Sequence, residues 1–311
     1  MSTLKEKYGP WTLVTGAAMG LGAEFARQLA REGLNLALVD IQKEPLSITS
    51  KTLSREFNVE VRPIVLDLAI PDFLHHLISA TNGLEIGLLV NNAGISAIGH
   101  FLDVPLDKHL SILAVNARAP LILAHHFGGL MRGRKRGGII FVSSMSALAG
   151  TSYVSEYSAT KAHDLTLGEA LWQELRPSNV DVPTTIVGAT DTPGWRAENP
   201  NPSTKTWPPV MTSQDTVRET LAALGKTPNF VPGAQNRIAT FLTTRLLSRK
   251  SAVATMGKEM DKRYGHEIYV VARAAIVRPK QSPLKRLIPH DKLFPLTGDC
   301  YVGKSTLFAT T

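Results

Sequence analysis

Thr15-Gly16-Ala17-Ala18-Met19-Gly20-Leu21-Gly22 follows the apolar run 11–14 and opens a stretch carrying Ala23, Phe25, Ala26 and Leu29. That order, strand then glycine turn then helix, decides the fold. Glycine tolerates the dihedrals of such a turn and lets a phosphate approach the backbone. A helix N-terminus behind it offers free amides and positive potential, so the segment reads as a pyrophosphate cradle. A glycine cluster alone is as often a simple tight turn, and the weight comes from what lies downstream. Tyr157-Ser158-Ala159-Thr160-Lys161 sets a phenol and an ammonium four residues apart, on one face of a helix. A free phenol ionises near pH 10, too high for acid/base work near neutrality, and an adjacent cation favours the phenolate.

Outward from the turn, short runs rich in Val, Ile and Leu occupy 11–15, 34–40, 59–66, 86–91, 138–143 and 181–188. None alternates strictly, which suits strands covered on both faces. Helical patterns lie between them at 20–32, 45–57, 71–81, 106–131 and 156–176. Strand–helix alternation with short connections predicts an α/β fold with a doubly wound parallel sheet, a Rossmann fold. A proline-bearing stretch after Gly194 predicts a substrate loop over about 194–230, with a short helix at 213–224 and further helices at 235–247 and 252–264. The expected division is one catalytic domain over 1–264 and a basic, poorly ordered C-terminal extension over 265–311.

Asp40 ends the second strand about 20 positions after the glycine turn, where a carboxylate accepts both ribose hydroxyls and repels a 2′-phosphate. Ile41 and Met19 bring no cation to that site, so NAD is expected over NADP. Asn116 precedes Pro120 by four residues, and proline lacks the amide that would bond the residue 116 carbonyl. That carbonyl is expected to hold a water in a proton relay to Lys161, with a plain helix start at Pro120 as the competing reading.

Over about residues 8–195 the chain resembles the classical short-chain dehydrogenase/reductase family. Thr15 to Gly22 matches its TGxxxGxG turn, and Asn91-Asn92-Ala93-Gly94 its NNAG element. Asn116, Ser144, Tyr157 and Lys161 match its catalytic tetrad. The resemblance implies cofactor contacts from Gly16, Ala18, Met19, Gly20, Leu21, Gly22, Asp40, Ile41, Asp67, Leu68, Asn92, Ala93, Gly94, Tyr157, Lys161, Gly188, Thr190 and Thr192. Val187 stands where the family usually has proline, which leaves the nicotinamide loop less fixed. A weaker likeness of 229–260 to bacterial ketoacyl-reductase-like members goes with NADP and conflicts with Asp40. The resemblance also implies a homodimer or homotetramer joined through the helices near 106–131 and 156–176. The function expected is hydride transfer between NAD(H) and an alcohol or carbonyl compound, with Ser144 steadying the oxygen. Leu148, Tyr153, Val154, Trp195, Trp207, Val210 and Met211 suggest a hydrophobic substrate. A 3-oxoacyl or ketone reductase using NADP, or a regulatory NAD-binding protein, is the alternative.

The net charge of +8 has a location. Residues 1–239 carry 21 Lys and Arg against 21 Asp and Glu, and residues 240–311 carry 13 against 5. Such a tail suits an anionic membrane surface, although a solvated basic face is the plainer reading and nucleic acid is not an expected partner. Gly298 to Ser305 fits the phosphate loop of nucleotide triphosphatases, but only six residues follow, and the match is taken as chance. The histidines show no metal-ligand spacing, so no metal is expected. A lone cysteine, Cys300, and a charged N-terminus without an apolar run predict a cytoplasmic protein.

Overall fold

The computed structural model describes residues 3–198 and 207–276, with 265–276 as helical backbone alone. The chain begins with α1 (Leu4–Tyr8), β1 (Trp11–Thr15), α2 (Gly20–Arg31), β2 (Asn35–Asp40), α3 (Lys43–Phe57) and β3 (Val61–Val65). It continues through α4 (Phe73–Ala80), β4 (Ile86–Asn91), α5 (Leu106–Leu113), a π-helical segment (Ala114–Arg118) and α6 (Ala119–Arg134). Next come β5 (Gly137–Ser144), α7 (Ser155–Leu175), β6 (Val180–Asp181), β7 (Thr184–Val187) and β8 (Thr190–Asp191). The last described elements are α8 (Pro193–Glu198), β9 (Met211–Thr212), α9 (Ser213–Ala223), β10 (Asn229–Phe230), α10 (Ala234–Phe241) and α11 (Arg249–Ile276).

The main sheet is parallel and runs β10-β7-β5-β4-β1-β2-β3, with β6 also paired to β5. From β1 the chain builds outward to β3, then returns to β4 on the other side of β1 and builds toward β10. This reversal between β1 and β4 opens a crevice at the strand C-termini. Strand pleating explains why both faces are apolar. Val14, Leu38, Val90 and Val142 join one buried cluster with Phe25 and Leu29 of α2 and Leu46 of α3. Leu13, Ala37, Leu89 and Phe141 join the other, with Phe73 of α4 and Leu123, Phe127 and Met131 of α6. Neighbouring residues on each strand thus serve opposite layers, as the unalternating runs implied.

The structure departs from the expected elements in four places. α1 was not foreseen, and it is anchored by Tyr8, which is buried and donates to Asp181 at 2.6 Å. The expected strand 181–188 is two pieces, because Pro183 interrupts the ladder between β6 and β7. The expected helix 106–131 is α5 and α6 joined by a π turn centred on Asn116, with Pro120 at the start of α6. β8 and β9 form a small separate sheet beside the main one. The continuous helix Leu106–Arg134 is long and apolar enough to span a membrane by composition. Its inward residues Ala119, Leu123, Phe127 and Met131 pack in the core described above. The tail beyond Ile276, the phosphate-loop match at 298–305, Cys300 and residues 199–206 of the expected substrate loop lie outside the described residues.

Candidate active site

The glycine turn leaves β1 at the crevice. Met19 caps α2 without a side-chain bond, so the amides of the first turn, at Gly20, Leu21 and Gly22, are offered to a ligand. Gly16 has φ 65°, and a Cβ there would lie 2.9 Å from Ala93 Cα. A Cβ on Gly22 would fall 2.0 Å from the Gly16 carbonyl oxygen. The turn therefore closes only with glycine at both positions. Asn92 locks it from the side, its Nδ2 donating to the carbonyls of Thr15 (2.9 Å) and Gly16 (3.2 Å). The Thr15 hydroxyl accepts from the amides of Asn92 and Ala93, both at 3.0 Å.

Asp40, buried at the end of β2, accepts from the Ala18 amide (2.9 Å) and the Gln42 amide (2.9 Å), one carboxylate oxygen each. It braces the turn and keeps further lone pairs for a ligand. Ile41 and Met19 are exposed beside it. Asp67 accepts from the Ala69 amide at 2.8 Å, next to buried Leu68. Across the crevice, a Cβ on Gly20 would meet Thr192 Cβ at 3.3 Å, so the segment after β7 faces the turn. Thr190 Oγ1 donates to the Gly188 carbonyl (3.1 Å), and Asn236 of α10 leaves no room for a Cβ at Gly188. The site fits an extended dinucleotide: open helix amides, a Cβ-free cradle and a carboxylate at the ribose position.

The four tetrad candidates come from three elements: the π turn, the end of β5, and two successive turns of α7. Lys161 is buried, and its ammonium donates to the Val142 carbonyl (2.8 Å) and Asp164 Oδ2 (3.3 Å). It lies 5.9 Å from the centre of the Tyr157 ring. A Cβ on Gly94 would sit 3.7 Å from both Lys161 Nζ and Asn116 Oδ1, so these three residues meet. The Asn116 side chain uses both of its donors and one of its two acceptor positions. It accepts from the Ile95 amide (2.9 Å) and donates to the Ile95 carbonyl (2.9 Å) and Thr160 Oγ1 (3.2 Å). Ser144 Oγ accepts from the Ser146 amide (3.2 Å) and hydroxyl (3.0 Å), which leaves its own proton to donate outward. Among the described residues the Tyr157 hydroxyl has no hydrogen-bond partner.

Asp164 and Thr160 were not singled out from sequence, and Ser143 and Ser146 were set aside there because the spacing to Tyr157 favours Ser144. Ser143 Oγ donates to the Lys161 carbonyl at 2.7 Å and fixes α7 to β5. Asp164 carried a usable signal: an acidic residue three positions after Lys161 on the helix face turned toward the sheet. Trp195, read from sequence as apolar lining, lies in α8, where its amide donates to Thr192 Oγ1 at 3.1 Å.

A family model described as short chain dehydrogenase matches residues 10–203. The 7β-hydroxysteroid dehydrogenase of Clostridium sardiniense is 32% identical over 257 residues, covering 83% of this chain and 98% of that protein. A solved 7β-hydroxysteroid dehydrogenase superposes with a TM-score of 0.77 at 27% identity, over 82% of this chain and 99% of that one. A short-chain dehydrogenase from Sphingobium yanoikuyae, solved with NADPH, gives a TM-score of 0.66 at 25% identity, over 89% and 100% of the two chains. The crevice, the uncapped helix amides and the Tyr–Lys pair are those of a nucleotide-dependent oxidoreductase, and the chain belongs to the short-chain dehydrogenase family. It transfers hydride between a nicotinamide cofactor and an alcohol or carbonyl substrate.

Proposed function

We propose that this enzyme uses NAD(H) in preference to NADP(H) and acts on a bulky, hydrophobic alcohol or ketone. Asp40 supports the cofactor preference. Its carboxylate ends β2 against the glycine turn, the position at which an adenosine ribose is expected; a 2′-phosphate there would meet like charge, and neither Met19 nor Ile41 brings a cation. The substrate class follows from the 7β-hydroxysteroid dehydrogenases among its relatives and from the apolar residues Leu148, Val154, Trp195 and Met211 near the site. We place it in the cytoplasm, as an oligomer. The basic C-terminal segment would give it a peripheral hold on anionic lipid.

A dinucleotide held in the crevice by the glycine turn and Asp40 would supply or accept the hydride. The chain supplies the proton and the electrostatics. Ser144 donates its free hydroxyl proton to the substrate oxygen and stabilises charge developing there. Tyr157, unpartnered within the chain, gives a proton to that oxygen in reduction and removes it in oxidation. Lys161 holds its ammonium beside the phenol and stabilises the phenolate that each reduction leaves behind and each oxidation starts from. Asn116 has no side-chain proton left to donate to a relay. Its part is to shape the π turn, and its backbone carbonyl is the group through which water would recharge Lys161.

The observation that carries this reading is the unpaired phenol of Tyr157 beside a buried ammonium, at the mouth of a dinucleotide crevice. The test is nicotinamide absorbance with a 7-oxo bile acid and either NADH or NADPH. Wild-type protein should turn over with NADH. Tyr157→Phe should lose at least about 100-fold in kcat, within the usual range for a general acid/base, while NADH affinity stays within about twofold. Unchanged turnover in Tyr157→Phe would remove the proposal.

A further inference from the structure

The loop between Ser144 and Tyr157 is fastened to the C-terminal helix at two points. Arg249 Nη1 donates to the Leu148 carbonyl at 2.6 Å, and the Tyr153 hydroxyl donates to Asp261 Oδ1 at 2.6 Å. Between these points Gly150 and Ser152 face Val253 and Gly257 of α11. Tyr153 is unusual in its backbone: φ is 65°, the left-handed region that a large side chain seldom occupies. Such a conformation persists only where surrounding contacts over-determine it, and it concentrates at functional sites. Here the contacts are visible. The Tyr153 carbonyl accepts from the Gly99 amide at 2.9 Å, and its ring lies against His100 with centroids 4.9 Å apart. The 95–100 segment in turn reaches α8 through the Ser96 hydroxyl and the Glu198 carboxylate.

Tyr153 therefore sits four residues before Tyr157 and joins three segments that border the Ser144–Tyr157 pair. None of the chemistry above uses Tyr153, Asp261 or Arg249. We infer that Tyr153 and Asp261 are positioning residues that set the substrate mouth: α11 holds Tyr153 in its left-handed conformation and, with it, the Tyr153–His100 wall. The inference rests on the carbonyl-substrate reading of the site. A small ketone reaches Ser144 and Tyr157 without using that wall, whereas a fused-ring ketone must lie along it. Loss of the Tyr153–Asp261 bond thus acts on substrate fit and leaves the proton chemistry intact.

The test uses the full chain as wild type, Tyr153→Phe, Asp261→Ala, Asp261→Asn and the Tyr153→Phe/Asp261→Ala double variant. Tyr153→Phe keeps the ring and loses only the hydroxyl, and Asp261→Asn keeps an acceptor for it. Kinetics with a 7-oxo bile acid and with cyclohexanone should show KM for the bile acid raised 5–20-fold in Tyr153→Phe and Asp261→Ala. Cyclohexanone kcat and NADH affinity should stay within twofold. Asp261→Asn should recover most of the loss, and the double variant should be no worse than either single. Independent, multiplying losses in the double variant would overturn the inference, as would equal losses on both ketones. Hydrogen exchange of the 148–154 amides reads the same coupling without turnover. It should accelerate at least fivefold in Tyr153→Phe and Asp261→Ala, and unchanged exchange would overturn the inference. If the wild type turns over neither ketone, the carbonyl reading fails by itself and the exchange result still decides the role of Tyr153.

Discussion

Lys161 cannot be understood apart from Asp164. Both side chains are almost wholly buried, at 5% and 2% exposure, and they form an ion pair three residues apart on α7. Asp164 Oδ1 has no hydrogen-bond partner and meets only His163 Nδ1, at 3.8 Å, so Lys161 is the main compensation for bringing that carboxylate out of water. Removing the lysine therefore does more than remove the cation that serves Tyr157. Lys161→Met is expected to abolish turnover and also to cost about 3–5 kcal/mol of stability, because it strands a buried charge. The Lys161→Met/Asp164→Leu double variant should regain most of that stability and none of the activity. Urea unfolding of the three proteins checks this, and a single variant as stable as wild type would show that Asp164 has another partner. The tetrad candidates stood out in the sequence because each lies in a motif or spacing with its own chemistry. Thr15 was read only as the head of the glycine turn, and Asp164 was marked by nothing but its spacing from Lys161, since both work by holding other groups.

At the scale of elements, the strands with the most buried runs were the most legible. Every residue of β1 and of β4 is buried, and an apolar run without alternation has few other meanings. The π turn in 106–134 was visible only as Pro120, because no composition distinguishes five residues of π-helix from α-helix. β8 and β9, two residues each, fall below any periodic signal. α1 was hidden for a similar reason: it is five residues long and buries one, Tyr8. That one residue is a strong anchor. Burial, then the hydrogen bond and charge of Asp181, push the Tyr8 phenol above the usual tyrosine range. Lys7 holds the same carboxylate at 2.6 Å. A raised folded-state pKa means that the native protein favours the neutral phenol. Its stabilisation is complete below the unfolded value of about 10 and declines as pH rises beyond it. Tyr8→Phe should be less stable than wild type by about 1–2 kcal/mol at pH 7. The gap should narrow between pH 10 and 11 in guanidinium unfolding. A gap that stays constant over that range would mean that the phenol is not held neutral.

For the molecule as a whole, the crevice is the seam between two halves of one sheet. The β1–β2–β3 side contributes Asp40 and Asp67, the β4–β5–β7 side contributes Asn92, Ser144, Gly188 and Thr192, and the glycine turn lies between them. A ligand spanning that seam binds only when both halves are in register, so it stabilises the native state by mass action. At 100 times its Kd such a ligand adds about 2.7 kcal/mol. For a chain of this size that corresponds to a rise in Tm of roughly 4–5 °C. If the enzyme prefers NAD as proposed, the negative charge at Asp40 makes the rise selective. NADH should give the full shift at millimolar concentration, and NADPH should give less than half of it at the same concentration. Asp40→Ala should shrink that difference through two effects at once. It removes the repulsion of a 2′-phosphate, and it frees the Ala18 and Gln42 amides, which loosens the turn for both nucleotides. The variant is therefore expected to lose affinity for NADH without becoming a tight NADPH binder. Thermal melts of wild type and Asp40→Ala against both nucleotides measure all four shifts together. Equal shifts for NADH and NADPH in the wild type would show that Asp40 serves the turn alone and that the cofactor preference lies elsewhere.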